Sequence, residues 1–371
     1  MPSTQAVILV GGKGTRLRPL TSNRPKPIVP LVDRPFMAYM LEWVASHGIT
    51  DVVMCCGFLA DQMVEEIGDG AAYGLNITWV SEPEPRGTAG ALWYAHPHLR
   101  DERFLMLNGD VLTDMDLSDQ IAQHERTGAV GTLALVPVED PTAYGLVRLH
   151  EDNAVRGFLE KPTPEQIDTD LISAGAYVLE PSVFDLIAKD RLVSIEREVW
   201  PRLVGQGLYG CVHRGRYWMD IGTPQRYLEG TQDILSWRVR TKVAERMVDG
   251  PAHATAQIAD GAVIDRASLV DRDARIGSRA TVGAGSVVGV GATIGRDVIL
   301  ENAVVLAGAT VGDGARLRDC IVGVDATVGA GVVLSDAAMV GDGAHVAEGN
   351  VLSHGMRVGP GAHVAAGTIW F

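Results

Sequence analysis

The sequence predicts two architectures in series: an α/β, Rossmann-like domain with a mixed, mainly parallel sheet, then a left-handed parallel β-helix. Three observations predict it. Up to about residue 250, short apolar runs alternate with stretches of helical periodicity. From Ile258 onward, aliphatic residues recur every six positions. Glycine supplies 43 of 371 residues, well above the usual ~7%, and most of the excess falls in the second part.

The first part justifies itself element by element. The run AVILV (6–10) is continuously apolar, as a strand covered on both faces must be. MAYMLEWVASHG (37–48) is amphipathic at helical spacing and closes on Gly48. DVVMCCG (51–57) reads as strand, ADQMVEEIG (60–68) as helix, NITWVSE (76–82) as strand and RFLMLNGD (103–110) as a strand ending in a turn. That β-α-β-α order predicts a mainly parallel sheet between helices. GTLALVPV, GLVRLH, AVRGFLEKP and ISAGAYVLE are richer in strand and predict an antiparallel addition. TPQRYLEGTQDILSWRVRTKVAERM (223–247) reads as helix leading to the linker VDGPAH. The expected domains are therefore residues 1–235, a helical linker at 236–250 and a repeat domain at 251–371.

In that last domain the in-phase positions are Ile258, Ile264, Val270, Ile276, Val282, Val288, Ile294 and Leu300. A five-residue step leads to Val305, Val311 and Leu317. A second leads to Val322, Val328, Leu334, Val340, Val346, Leu352, Val358 and Val364. Three hexads make one triangular coil, with the aliphatic residue inward and small residues at the corners. Edges and end coils left open by such a stack make self-association through this domain the expectation.

Composition narrows the function. The formal charge is −14, which argues against coating nucleic acid or anionic membrane. Cys55, Cys56, Cys211 and Cys320 form no C-x-x-C pair and support neither a disulfide framework nor a zinc site. No apolar run approaches the ~18 residues of a membrane span. The N-terminus has no basic region or cleavage site of a signal peptide. A soluble cytoplasmic protein in a reducing compartment is expected.

The turn after the first strand is Gly11-Gly12-Lys13-Gly14-Thr15-Arg16-Leu17. Its glycines would let backbone N–H groups approach a phosphate, although tight-turn packing accounts for them as well. It is not a Walker loop, and Leu17 stands where a dinucleotide fingerprint needs its third glycine. Residues 11–34 hold Lys13, Arg16, Arg18, Arg24, Lys26 and Arg34 against one acid, Asp33. This focus of charge in an acidic chain suits a triphosphate; a solvated basic face is the other reading. Pro25 and Pro27 stiffen the backbone around Lys26.

Asp110 follows Gly109 at the end of a strand, where an open α/β sheet binds its ligands, and a carboxylate there suits Mg²⁺ or a plain turn. Asp220 lies among apolar residues and Gly and wants a cation or a hydrogen-bond partner. Glu160 and Lys161 would serve sugar hydroxyls and a phosphate, or form an exposed pair. Gly145 and Gly175 read as turns or as points of close ligand approach. No nucleophile and base stand together. A reaction whose attacking group is already a phosphate oxyanion needs neither.

Together these segments resemble the sugar-1-phosphate nucleotidyltransferase family. The likeness is carried by LVGGKGTRLRPLT (9–21), RPKPIVPLVDRP (24–35), EPRGTAG (84–90), LNGD (107–110), YGLV (144–147), EKP (160–162), SIEREVWP (194–201), WMDIGTP (218–224) and the hexapeptide domain. EPRGTAG, SIEREVWP and WMDIGTP make it most similar to the mannose-1-phosphate guanylyltransferase branch. The resemblance implies that Gly11, Gly12, Gly14 and Thr15 line the nucleotide loop, that Arg16 and Lys26 hold the triphosphate, and that Gly87 and Thr88 lie where the base is read. It implies Asp110 and Asp220 as Mg²⁺ ligands, Gly145, Glu160 and Gly175 at the sugar, and Lys161 at its phosphate. One position departs: the family commonly has Asn where this chain has Ser173. The expected partners are a nucleoside triphosphate and a sugar 1-phosphate, GTP and mannose 1-phosphate first. A thymidylyl- or uridylyltransferase acting on glucose 1-phosphate and a non-catalytic sugar-nucleotide-binding paralogue are the alternatives. A further acyl transfer by the β-helix would need a base such as His345, His354 or His363; an assembly role is favoured.

Overall fold

The computed structural model describes residues 4–57, 59–189 and 191–370. The chain forms two compact units. One holds the chain up to Gly12 together with Met37–Trp218; the other joins Lys13–Phe36 to the residues from Met219 onward.

The first unit is built on one sheet. Its strands are β1 (Gln5–Leu9), β2 (Asp51–Cys56), β3 (Asn76–Ser81), β4 (Phe104–Asn108), β5 (Gly131–Pro137), β6 (Gly145–Leu149), β7 (Val155–Glu160), β8 (Leu171–Leu179) and β9 (Leu208–Val212). The main path runs β7-β6-β8-β4-β1-β2-β3, with β5 paired to both β8 and β9. β1 is parallel to β2 and β4, and β2 to β3. β8 enters antiparallel against β4 and β5. The mixed, mainly parallel sheet read from the apolar runs is thus present, with the strand-rich middle as its antiparallel part. Ile8, Val53, Met54, Leu105 and Met106 are fully buried, which is why their runs lack polar alternation.

The helices of this unit include α1 (Phe36–Ser46, entered from the other unit's Phe36), α2 (Ala60–Ile67), α3 (Gly87–Ala95) and α4 (Leu117–Thr127). α4 shows how local sequence sets the ends. The Asp116 carboxylate accepts from the Asp119 N–H at 3.0 Å, and Gly128 closes the helix at φ 59°.

In the second unit all nineteen in-phase aliphatic residues fall on three parallel stacks. One runs Ile258, Ile276, Ile294, Val311, Val328, Val346, Val364. The next runs Ile264, Val282, Leu300, Leu317, Leu334, Leu352. The third runs Val270, Val288, Val305, Val322, Val340, Val358. This is the parallel β-helix that the hexad spacing predicts. Corner residues take the left-handed conformation, which explains the glycine excess: Gly261, Gly285, Gly308 and Gly314 all lie near φ 70°, and Asp273, Asp297 and Asp325 replace glycine at other corners. The two five-residue steps are the two long strands, Ile299–Val305 and Arg316–Val322, which run through their corner without a break.

The helical pattern over 223–247 is interrupted. Helix α5 (Pro224–Leu235) is capped by Thr223, but Trp237 turns to φ 62°. The Arg238 N–H then closes on the Asp233 carbonyl at 2.9 Å. A single turn, Val243–Arg246, resumes later. The break is a left-handed C-terminal closure made without glycine, so the sequence carries no mark of it. Among the described residues no helix is long and apolar enough to cross a membrane.

Candidate active site

The first unit gathers its site residues at the carboxyl ends of β1 and β4. The Val10 N–H donates to Cys55 O at 2.9 Å, and the Gly109 N–H to Leu9 O at 2.9 Å. A side chain on Gly109 would meet Val10 Cγ1 at 2.5 Å and Leu9 O at 2.8 Å. Only glycine lets the 107–110 turn, which carries Asp110, lie against Leu9 and Val10 at the end of β1. Gly12 sits at φ 132°.

Glu82, just past β3, completes this corner. Its N–H donates to Cys56 O at 2.7 Å, which draws it inward to 9% exposure. Its Oε1 has no hydrogen-bond partner and would stand 3.7 Å from a Cβ on Gly11. Burial pushes its carboxyl above the usual range. Sequence reasoning missed this residue, because EPEPRG looks like an exposed charged turn.

The loop before α3 is wedged in place. The Val193 N–H donates to Arg86 O at 2.8 Å and the Ala89 N–H to Val193 O at 3.1 Å. Gly87, at φ 75°, has no room for a side chain, since a Cβ would lie 2.5 Å from Val193 O. The Thr88 hydroxyl donates to Glu196 Oε2 at 2.8 Å and accepts from the Ile195 N–H at 2.9 Å. The Ser194 hydroxyl donates to the same Glu196 oxygen at 2.7 Å. Glu196 sits on a wide π-helical turn, Ile195–Val199, a distortion common at functional sites. Its alternation imitates an ordinary amphipathic helix, and the sequence singled out the segment but not the residue.

A third group surrounds β8. The β8–β5 register shifts between Ser173 and Tyr177, which frees Gly175 (φ 76°) from the ladder. A Cβ there would touch the Asn108 side chain at 3.0 Å. Ser173, the departure from the family pattern, pairs its hydroxyl with buried Tyr177 at 3.1 Å. Trp218 Nε1 donates to Ala174 O at 2.8 Å, and its ring meets Tyr144 edge-on at 5.2 Å. A Cβ on Gly145 would lie 3.1 Å from Glu160 Oε2 and 2.5 Å from Phe158 Cζ. Burial and then the negative charge of Glu196 push the Glu160 carboxyl up, against the pull of Lys161 and Arg197. Lys161 itself takes a left-handed backbone at φ 55°, held by its N–H on Tyr144 O at 2.9 Å.

The second unit carries the cations. A Cβ on Gly14 (φ 56°) would lie 3.0 Å from Lys26 Cβ, and the Thr21 hydroxyl donates to Gly14 O at 2.7 Å. Thr15 and Arg16 lie in the turn Thr15–Leu17, and buried Lys26 opens the turn Lys26–Ile28. A Cβ on Gly222 would meet Arg16 Nη2 at 2.9 Å and Asp220 Oδ2 at 3.1 Å, so this guanidinium and this carboxylate face the same small space. Arg226 is ion-paired with Asp220.

Among the described residues no cluster of three or more His, Cys, Asp or Glu could by itself hold a metal. A single carboxylate, such as that of Asp110 in the first unit or of Asp220 in the second, has the hard-oxygen chemistry that a divalent cation takes.

The nucleotidyl transferase family matches the chain over residues 5–236. The chain belongs to this family. A second family match, GMPPB C-terminal domain, covers residues 264–367. Relatives of this nucleotidyl transferase include the mannose-1-phosphate guanylyltransferase of Mycobacterium tuberculosis, 40% identical over 267 residues, which covers 70% of this chain and 72% of that one. The mannose-1-phosphate guanylyltransferase catalytic subunit beta of Drosophila melanogaster is 35% identical over 268 residues, with coverage of 70% and 72%. Among solved structures, HddC from Yersinia pseudotuberculosis superposes with a TM-score of 0.54 at 26% identity, covering 61% of this chain and 97% of that one. A second HddC structure, complexed with GMP-PN, gives a TM-score of 0.53.

Proposed function

We propose that this nucleotidyl transferase joins GTP to mannose 1-phosphate, giving GDP-mannose and pyrophosphate. The observation that carries the choice of base is Glu82: a buried carboxylate with an unpartnered oxygen beside the nucleotide loop. Guanine offers two adjacent donors, N1–H and the 2-amino group, which a carboxylate accepts together. Adenine, thymine and uracil offer no such pair. The names of the relatives support the same substrates.

In this reading the glycines at 11, 12 and 14 bring backbone N–H groups to the triphosphate. Arg16 and Lys26 neutralise charge that grows on the departing pyrophosphate. Thr15 lines the loop, and Gly87 and Thr88 support the base pocket. At the sugar, Glu160 accepts hydroxyl donors, Gly145 and Gly175 allow close approach, and Lys161 pairs with the phosphate. A phosphate oxygen of the sugar phosphate attacks the α-phosphorus in line, and the bond to the β-phosphate oxygen breaks. The attacking oxygen is already anionic, so no base need remove a proton. Asp110 and Asp220 would hold Mg²⁺, which when bound supplies further screening of phosphate charge.

The test is a panel of GTP, ATP, UTP and dTTP against mannose 1-phosphate and glucose 1-phosphate, read as pyrophosphate release with and without Mg²⁺. Preference for GTP and mannose 1-phosphate is expected. Preference for UTP or dTTP with glucose 1-phosphate, or no release at all, would refute the proposal. We also read exposed Ile258 and Val263 at the first coil and Trp370 at the last as faces for self-association, which a mass measurement in solution checks.

A further inference from the structure

The segment from Lys13 to Phe36 has little structure of its own. It contains two single turns and a ladder of two residues, Pro30–Leu31 with Arg34–Pro35. It also concentrates cations that repel one another. Something else must hold it, and within the second unit the β-helix and its lead-in do so at four points. Arg24 Nη2 donates to Asp342 Oδ2 at 2.5 Å, across 318 residues of sequence. Arg357 Nη1 donates to the Arg18 carbonyl at 2.9 Å. Tyr227 Oη donates to the Pro30 carbonyl at 2.5 Å. Arg246 bridges Asp33 Oδ2 at 2.9 Å and Asp271 Oδ1 at 2.6 Å, and both acids are nearly buried, at 3% and 5% exposure. The Asp33 carboxyl is held below the usual range by Arg34 and Arg246 in spite of its burial.

We propose that the β-helix positions the nucleotide loop, with Asp342, Arg357 and Arg246 as positioning residues that fix the backbone from which Arg16 and Lys26 project. The pinned residues 18, 24, 30 and 33 bracket Lys26 and adjoin Arg16. A charge that must be in place before the reaction acts only if its backbone is fixed, and these four contacts hold that backbone from outside the segment. The β-helix thus belongs to the catalytic apparatus as well as to assembly. The inference rests on the reading that Arg16 and Lys26 hold the triphosphate.

The experiment uses the full chain with Asp342→Asn, Arg357→Met and the exchange Arg24→Asp with Asp342→Arg. Asparagine keeps an acceptor for the Val324 N–H, which Asp342 Oδ1 now receives at 2.9 Å, and removes the charge and the acceptor that face Arg24. Asp342→Asn should lower kcat/KM for GTP by about tenfold. It should raise amide hydrogen exchange across residues 13–36 and leave the KM for mannose 1-phosphate and the melting temperature in place. The exchanged pair should recover loop protection. Unchanged loop exchange in Asp342→Asn and Arg357→Met would overturn the inference. So would a loss that spreads to both substrates and lowers the melting temperature, with loop protection not recovered by the exchange. If the wild-type chain released no pyrophosphate from these substrates, the functional reading would fail on its own, and hydrogen exchange would still decide whether the loop is held.

Discussion

Replacing Glu82 by glutamine keeps the volume of the side chain and removes one acceptor. Oε1 is buried and has no hydrogen-bond partner, so in the proposed reading no protein donor competes with the base for it. Hydrogen bonds to a charged group contribute about 1.5–3 kcal/mol each. The glutamine amide would also aim N–H groups at guanine's own donors. Losing one such bond predicts a fall of roughly 10- to 100-fold in kcat/KM for GTP, at about 1.4 kcal/mol per factor of ten. Inosine triphosphate lacks the 2-amino group, so the ratio of kcat/KM for GTP over ITP isolates the contact. It should fall toward one in Glu82→Gln. Burial raises the Glu82 carboxyl, so in the wild-type enzyme the KM for GTP should rise as pH falls through that raised value, and the variant should lose this dependence. The sign for stability is opposite: a raised folded-state value means that the ionised group costs stability above it. The variant should therefore melt no lower than the wild type. An unchanged GTP-to-ITP ratio in a folded Glu82→Gln would refute the base assignment.

Asp110→Asn should abolish pyrophosphate release while circular dichroism and melting temperature stay at wild-type values; wild-type turnover would remove Asp110 from the chemistry. Gly87→Ala places a Cβ 2.5 Å from Val193 O at φ 75°, and denaturant unfolding should show a loss of about 2–4 kcal/mol from left-handed strain and overpacking. Glu196→Gln keeps an acceptor for Thr88 and Ser194 but removes the charge near Glu160. It should lower the Glu160 pKa, which favours the carboxylate that accepts sugar hydroxyls, so at acid pH the KM for mannose 1-phosphate should fall more than that for GTP, as initial rates against each substrate will tell.

The sequence was most legible where one physical rule acted alone. Nineteen aliphatic positions located three stacks, because the interior of a β-helix admits nothing else. Gly175 reads in the sequence as a turn or a point of close approach, and a Cβ there would lie 3.0 Å from the Asn108 side chain. Other features depend on partners that local pattern does not name. The burial of Glu82 is decided by the Cys56 carbonyl on the next strand. The wide turn at Glu196 has the composition of a common helix. Trp237 closes α5 in a left-handed conformation without glycine or proline. The Arg24–Asp342 pair joins residues 318 apart, and nothing in the sequence links the two.

The two long β-helix strands have a consequence for length. In regular coils, side chains that meet between layers are 18 residues apart, as in Arg279–Asp297. At the strands Ile299–Val305 and Arg316–Val322 the spacing is 17, as in Asn302–Asp319 at 2.7 Å. Asn302 and Asp319 take positive φ, 46° and 47°, to round the shortened corner, and helix α5 packs against these strands. The shortened strands are thus the ones this helix packs against. A single inserted residue at another corner would bulge into water at small cost. The same insertion beside Asn302 would restore the full perimeter and drive the edge into α5, so indel tolerance along the stack should reach its minimum there.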